Sequence, residues 1–130
     1  MVQLLNNAFF WQKLDTLYYS STVVISQPKG SVHPIYTNLV YPVDYGYLND
    51  TLAQDEKGVS IYLGTNGNHG VEKIIVAVDI LRKDIEVKLL VACSEEEEDM
   101  ILRFVNQTDF QKTILINRGN ELPTWALSDN

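Results

Sequence analysis

Cysteine, histidine and basic residues are all scarce in this chain, and each shortage excludes something. One cysteine, Cys93, rules out an intrachain disulfide, fits a reducing compartment and cannot alone hold zinc. The two histidines, His33 and His69, are far apart in sequence, and His69 sits alone in its loop, so no histidine metal site is specified. Ten Lys and Arg against seventeen Asp and Glu give a net charge of −7. That balance argues against nucleic-acid binding through the phosphate backbone, although it leaves room for a local basic pocket. No run approaches the roughly 18 apolar residues of a membrane helix, and no basic segment leads into a signal-like apolar stretch. The expectation is one cytoplasmic domain over residues 1–130, with no nucleic-acid or membrane partner.

What is present is patterned. Residues 3–19 carry Phe10, Leu14, Leu17 and Tyr18 at helical spacing, with Phe9 and Trp11 widening the apolar surface. That surplus packs on the core or meets a second subunit, and a homo-oligomer is one expectation from it. Residues 22–27 (TVVISQ) read as a strand ended by Pro28-Lys29-Gly30. Residues 59–63 alternate, which puts Ser60 and Tyr62 on one face. Residues 65–70 (TNGNHG) predict a hairpin connection, since Asn-Gly is the strongest short turn dipeptide. Residues 71–81 and 84–93 predict an antiparallel pair. Ile74, Val76, Val78 and Ile80 share a face with Ile85, Val87, Leu89 and Val91, while Glu86 and Lys88 stand side by side on the other. A solvated, salt-bridged strand face is the plain reading of that last pair. Ser94 and Glu97 form a capping-box pattern ahead of a helix to about residue 106, and residues 113–116 (TILI) read as a strand or a helix turn. Residues 123–130 read as a tail.

Tyr41 to Gly64 (YPVDYGYLNDTLAQDEKGVSIYLG) is the most informative run. Tyr41, Tyr45 and Tyr47 surround Pro42 and Gly46, and Asp50, Asp55 and Glu56 follow. Phenols supply donors and carboxylates supply oxygen ligands, a combination suited to hard divalent metals and the phosphates they bind. The run resembles the signature region of soluble family I inorganic pyrophosphatases, where YPxxYGY leads into an aspartate-rich loop. His33-Pro34-Ile35-Tyr36 is similar to the HP-x-Y that precedes it in a short bacterial group. The resemblance spans about residues 23–118.

It implies a mainly β, α+β fold: a five-stranded OB-like β-barrel with flanking N- and C-terminal helices. It also implies magnesium-dependent hydrolysis of pyrophosphate to phosphate, a phosphate-containing small ligand, and a set of roles. Asp55, Asp84 and Glu86 would be metal ligands, and Asp55, Lys88 and Tyr45 catalytic groups. Lys29, His33, Tyr45 and Lys88 would hold the phosphates. In the aspartate loop Lys57 and Ser60 stand where the family carries carboxylates, which implies impaired activity; Asp44 and Asp50 are candidate substitutes. The competing expectation is a non-catalytic phosphate- or nucleotide-binding pseudoenzyme, or a homo-oligomeric interaction module.

Overall fold

Alternating aliphatic and polar residues dominate the middle of the chain, and the strands form there. In chain order the elements are α1 (Ala8–Tyr19), β1 (Val23–Gln27), β2 (Asp44–Leu48), β3 (Val59–Leu63), β4 (Val71–Asp79), β5 (Asp84–Val91), α2 (Glu95–Val105) and β6 (Gln111–Asn117). The computed structural model describes residues 5–53, 57–67 and 70–123. The strands make one sheet in the order β1-β2-β3-β5-β4-β6. β3 runs parallel to β5, and every other neighbouring pair is antiparallel.

The mainly β fold with two helices is as expected, and two details differ. The sheet has six strands and is not closed, where the resemblance implies a five-stranded barrel; the sixth is the TILI segment, paired along β4. Residues 65–70 do not turn β3 back onto β4, because β5 lies between them. The chain leaves β3 with Gly64 N–H on the Val91 carbonyl and Asn66 N–H on the Ala92 carbonyl. The Glu97 carboxylate takes the Thr65 N–H and hydroxyl. These bonds hold the connection against the end of β5 and the start of α2. Residues 68 and 69, His69 among them, lie outside the described residues, as do 124–130.

Each face of the sheet carries a helix. On the first, Trp11, Leu14, Leu17 and Tyr18 of α1 pack on Leu48, Ile61, Ile74, Leu89 and Val91. Asn7 caps α1 by accepting the Phe9 and Phe10 N–H groups. Asp15 ties it to the sheet: Arg118 donates to both carboxylate oxygens at 3.0 and 2.8 Å, and Val71 N–H adds a third bond at 2.9 Å. Trp11 is fully buried while Phe10 is 47% exposed, so the N-terminal aromatics do not act as one surface. On the second face, Ile101 and Val105 of α2 pack on Tyr41, Val43, Tyr62, Ile75 and Leu90. The capping box of Ser94 and Glu97 is formed.

Both helices cover only one end of their face. On the first, the far ends of β4, β5 and β6 leave Val78, Ile80, Ile85, Val87 and Ile114 exposed. On the second, the uncovered region is a cleft. β1 and β2 cross so closely beside it that a Cβ on Gly46 would lie 1.8 Å from the Val24 carbonyl oxygen, so only glycine fits. At the outer edge of the sheet, Thr113 N–H donates to Asn106 Oδ1 at 2.9 Å and the Asn117 carbonyl accepts from Asn6 Nδ2 at 2.6 Å. No helix among the described residues is long and apolar enough to cross a membrane.

Candidate functional site

Strand parity places the chemistry. Leu90 of β5 goes under α2, and Lys88 and Glu86, two and four residues earlier on the same face, pass beyond its reach. They enter a cleft of about 640 Å³ that also takes in Tyr45 of β2, Ser60 of β3 and Arg82 of the β4–β5 turn. Lys88 is only 7% exposed, so this face is not the solvated hairpin surface that the sequence suggests on its plain reading.

The centre of the cleft is a small network. Lys88 Nζ donates to Tyr45 Oη at 3.0 Å and to Glu86 Oε2 at 3.1 Å. Tyr45 Oη in turn donates to Ser60 Oγ at 3.1 Å, and Ser60 is the register partner of Lys88. Burial works against the ammonium, but the Glu86 carboxylate and the hydrogen bond to Tyr45 oppose it and its pKa is raised, so Lys88 remains a cation. Beneath it, burial raises Tyr62, and burial beside Tyr45 pushes Tyr41 up to about 12. These phenols are therefore protonated at neutral pH. An ammonium has three donors, and the described residues take two.

The hairpin tip supplies a second cation. Asp79 Oδ1 accepts the N–H groups of Leu81 and Arg82 at 2.9 and 3.0 Å, an Asx turn that shapes the tip. Arg82 Nη2 lies 3.8 Å from Glu86 Oε1, and its Nε lies 3.4 Å from Asp84 Oδ2. Both contacts are long, and the guanidinium is 59% exposed, so it has donors for a ligand. On the opposite wall His33 organises its own loop. Its Nδ1 accepts the N–H groups of Ile35 and Tyr36, both at 3.1 Å, so Nε2 carries the proton of a neutral ring. Burial lowers its pKa, and the ring stacks on Tyr41 at 5.8 Å.

Of the residues singled out in the sequence, Tyr45, Glu86, Lys88 and His33 line this one cleft, together with Lys57 and Ser60. Lys29 is exposed away from it, its N–H bonded to Asp44 Oδ1 at 2.8 Å. Asp84 is not among the residues lining the cleft, although it shares the strand face of Glu86 and Lys88 and its carboxylate meets Arg82. Asp44 and Asp50 do not line the cleft either; Asp50 is an exposed turn residue with φ of 64°. Asp55 lies outside the described residues. Tyr36 of the His33-Pro34-Ile35-Tyr36 motif lines it too, and sequence reasoning missed Asp79, Arg82, Phe104 and Phe110 as lining residues. Asp79 had a signal, an aspartate closing an apolar strand just before a charged turn. Phe104 and Phe110 had none, because they come from separate segments.

The described residues do not fit a magnesium ion. No three His, Cys, Asp or Glu side chains converge among them. Glu86 gives its oxygens to Lys88 and Arg82, and Asp79 caps the turn. Magnesium takes hard oxygen ligands in near-octahedral order, and paired carboxylates are poor candidates. Among the described residues, the charged ones lining the cleft are Lys57, Arg82 and Lys88 against Asp79 and Glu86; Asp55 and Glu56, next to Lys57 in sequence, lie outside the described residues.

No family model and no curated protein matches the sequence. Solved structures do match. An inorganic pyrophosphatase of Coxiella burnetii superposes with a TM-score of 0.56 at 19% identity, covering 74% of this chain and 84% of that one. One from Neisseria gonorrhoeae gives 0.50 at 16%, covering 74% and 81%. Identities this low speak to architecture alone. The chain has a fold similar to that of bacterial inorganic pyrophosphatases.

Proposed function

We propose that the cleft binds a phosphate-bearing anion directly through side-chain donors, on a pyrophosphatase-like fold whose metal-dependent hydrolysis is impaired. One observation carries the reading: Lys88, nearly buried, is held in the cleft by Tyr45 and Glu86, and the described residues use only two of its three donors. A desolvated ammonium fixed beside a phenol hydroxyl and near a guanidinium is a strong, pre-set partner for phosphate oxygens. Ser60, where the family pattern expects a carboxylate, accepts the Tyr45 hydroxyl and adds no negative charge.

Magnesium-dependent hydrolysis of pyrophosphate is the finer reading that the fold likeness and the YPVDYGY run favour. In it Asp55, Asp84 and Glu86 would hold the metal, while Lys88, Tyr45, His33 and Lys29 would hold the phosphates. The engagement of Glu86 by Lys88 and Arg82, and of Asp84 by Arg82, favours binding over turnover. A cytoplasmic protein acting on a small phosphate compound belongs to the same proposal. Calorimetry with pyrophosphate, in EDTA and in magnesium, tests it alongside phosphate release. Expected are binding in EDTA that depends on Lys88, and turnover at least a hundredfold below an intact pyrophosphatase, on the order of 3 kcal/mol of lost transition-state stabilisation. Binding that requires magnesium, or comparable turnover, would overturn it.

A second observation favours self-association. Val78, Ile80, Leu81, Ile85, Val87 and Ile114 are exposed around the turn and the uncovered sheet face. They form an apolar patch on the order of 600 Å², the upper end of what single domains expose. Mirrored across a two-fold axis it buries about 1,200 Å², where stable interfaces begin. The occupant we propose is a second copy of this chain. Light scattering should give a dimer that Ile85→Glu converts to a monomer of 14.8 kDa. A monomer throughout would overturn this.

A further inference from the structure

The cleft is too large and too aromatic for pyrophosphate alone. At about 640 Å³ it falls among sites that enclose drug-sized ligands, and pyrophosphate is a small ion without a single carbon atom. From the network around Lys88 a line of rings leads outward. Tyr45 stacks on Tyr41 at 5.5 Å, Tyr41 on His33 at 5.8 Å, His33 meets Tyr36 at 5.1 Å, and Tyr36 meets Phe110 at 5.5 Å. Phe104 backs the middle of this wall, 4.8 Å from Tyr41. Every one of these rings lines the cleft, and Tyr36, Tyr45, Phe104 and Phe110 keep part of their surface exposed.

The wall is assembled from distant segments: the loop of residues 31–41, β2, the last turns of α2 and the segment leading into β6. The β6 end also carries Gln111, whose Nε2 donates to the Val105 carbonyl at 2.7 Å, leaving its amide oxygen as an acceptor. An inorganic anion would gain nothing from this half of the cleft, since apolar ring faces offer its charge no partner. A ligand that uses both halves needs phosphate at one end and a flat heterocycle at the other. Stacking on aromatic side chains tolerates any base, because every base has a π-face.

We propose that the cleft is a nucleoside-phosphate site, with the phosphates on Lys88 and Arg82 and the base against the wall of Tyr36, His33, Phe104 and Phe110. This rests on the phosphate-binding reading above and names the rest of the ligand. The test is calorimetry in EDTA with the full chain, titrating ADP and inorganic pyrophosphate separately. Wild type should bind ADP at least tenfold more tightly than pyrophosphate, the scale of one stacked base. Tyr36→Ala and Phe110→Leu should bring the ratio of the two affinities close to one. Phe110→Leu retains apolar bulk, so a loss in that variant reports on the ring face and not on a collapsed core; circular dichroism checks that each variant is folded. If pyrophosphate binds with dependence on Lys88 and ADP binds no more tightly, the nucleoside assignment falls and phosphate binding stands. If ADP binds more tightly but neither variant changes the ratio, the aromatic wall is not the base site and the assignment also falls. If neither ligand binds, both readings fall together.

Discussion

Replacing Lys88 by methionine, alone and together with Glu86→Met, separates what the ion pair does for stability from what it does for binding. The single change keeps an unbranched chain but removes the donors to Tyr45 and Glu86 at 3.0 and 3.1 Å. Tyr45 still donates to Ser60, so the phenol is not orphaned. Glu86 fares worse: its side chain is 13% exposed, and its remaining cation, Arg82, is 3.8 Å away and mostly in solvent. Removing one partner of a buried pair costs about 3–5 kcal/mol, and the nearby guanidinium puts this case at the lower end, about 3 kcal/mol. For a domain of this size that is a fall in Tm of about 10 °C. The double variant removes both charges and fills the space with apolar side chains, which is commonly neutral or stabilising. Urea unfolding should therefore show the double variant within about 1 kcal/mol of wild type. Calorimetry should show that neither variant binds pyrophosphate. A stable double variant that still binds pyrophosphate would refute the assignment of Lys88 as the phosphate anchor. A single variant as stable as wild type would refute the account of the buried pair.

Asp15→Asn should lower stability by about 1–2 kcal/mol at pH 7, since a bidentate pair and a backbone bond join α1 to the sheet there. The hydrogen bonds from Arg118 hold the Asp15 pKa below 3.8, so its contribution is present above that value and lost as pH falls through the folded pKa. The variant's urea midpoint should accordingly change less with acid than that of wild type. Burial lowers His33 below 6.5, so its stabilising effect is complete above that pH and declines as pH falls toward the folded value. His33→Asn, which can accept the same two N–H groups, should keep the loop and flatten this part of the stability–pH curve; an unchanged slope would show that another group titrates. Gly46→Ala should cost on the order of 3 kcal/mol or more, because β1 and β2 must separate to admit the Cβ; a urea midpoint near that of wild type would contradict the contact with Val24.

Period-two alternation was enough to read β3, β4 and β5 and to sort their side chains by face. Parity does not say how much of a face a helix covers, which is why Ile80, Ile85 and Val87 share the apolar face with buried Ile74 and Leu89 and yet stand in solvent. The N-terminal aromatics illustrate the same limit: successive helical residues diverge by about 100°, so Trp11 is buried while neighbouring Phe10 is half out. Asn66-Gly67 is strong local turn chemistry, but whether a turn makes a hairpin depends on a strand arriving later, and β5 takes the place beside β3. Within the cleft, Tyr45 and Lys88 were legible because each sits in a patterned run. The outer aromatic wall was legible only at Tyr36, through the His33-Pro34-Ile35-Tyr36 motif, because tertiary packing alone brings Phe104 and Phe110 to it.

The two asparagines at the outer edge of the sheet have a consequence for how the protein behaves when crowded. An open strand edge is a template on which another chain can add its own strand, the usual first step toward aggregation. β6 is such an edge, long and rich in β-branched residues. Asn106 occupies its Thr113 N–H and Asn6 its Asn117 carbonyl, so an incoming strand finds an outward bonding group already engaged near each end. Replacing both with alanine would expose a run of uncapped strand on a protein that also carries an apolar face. Such a variant should form fibrils at concentrations where the parent remains clear.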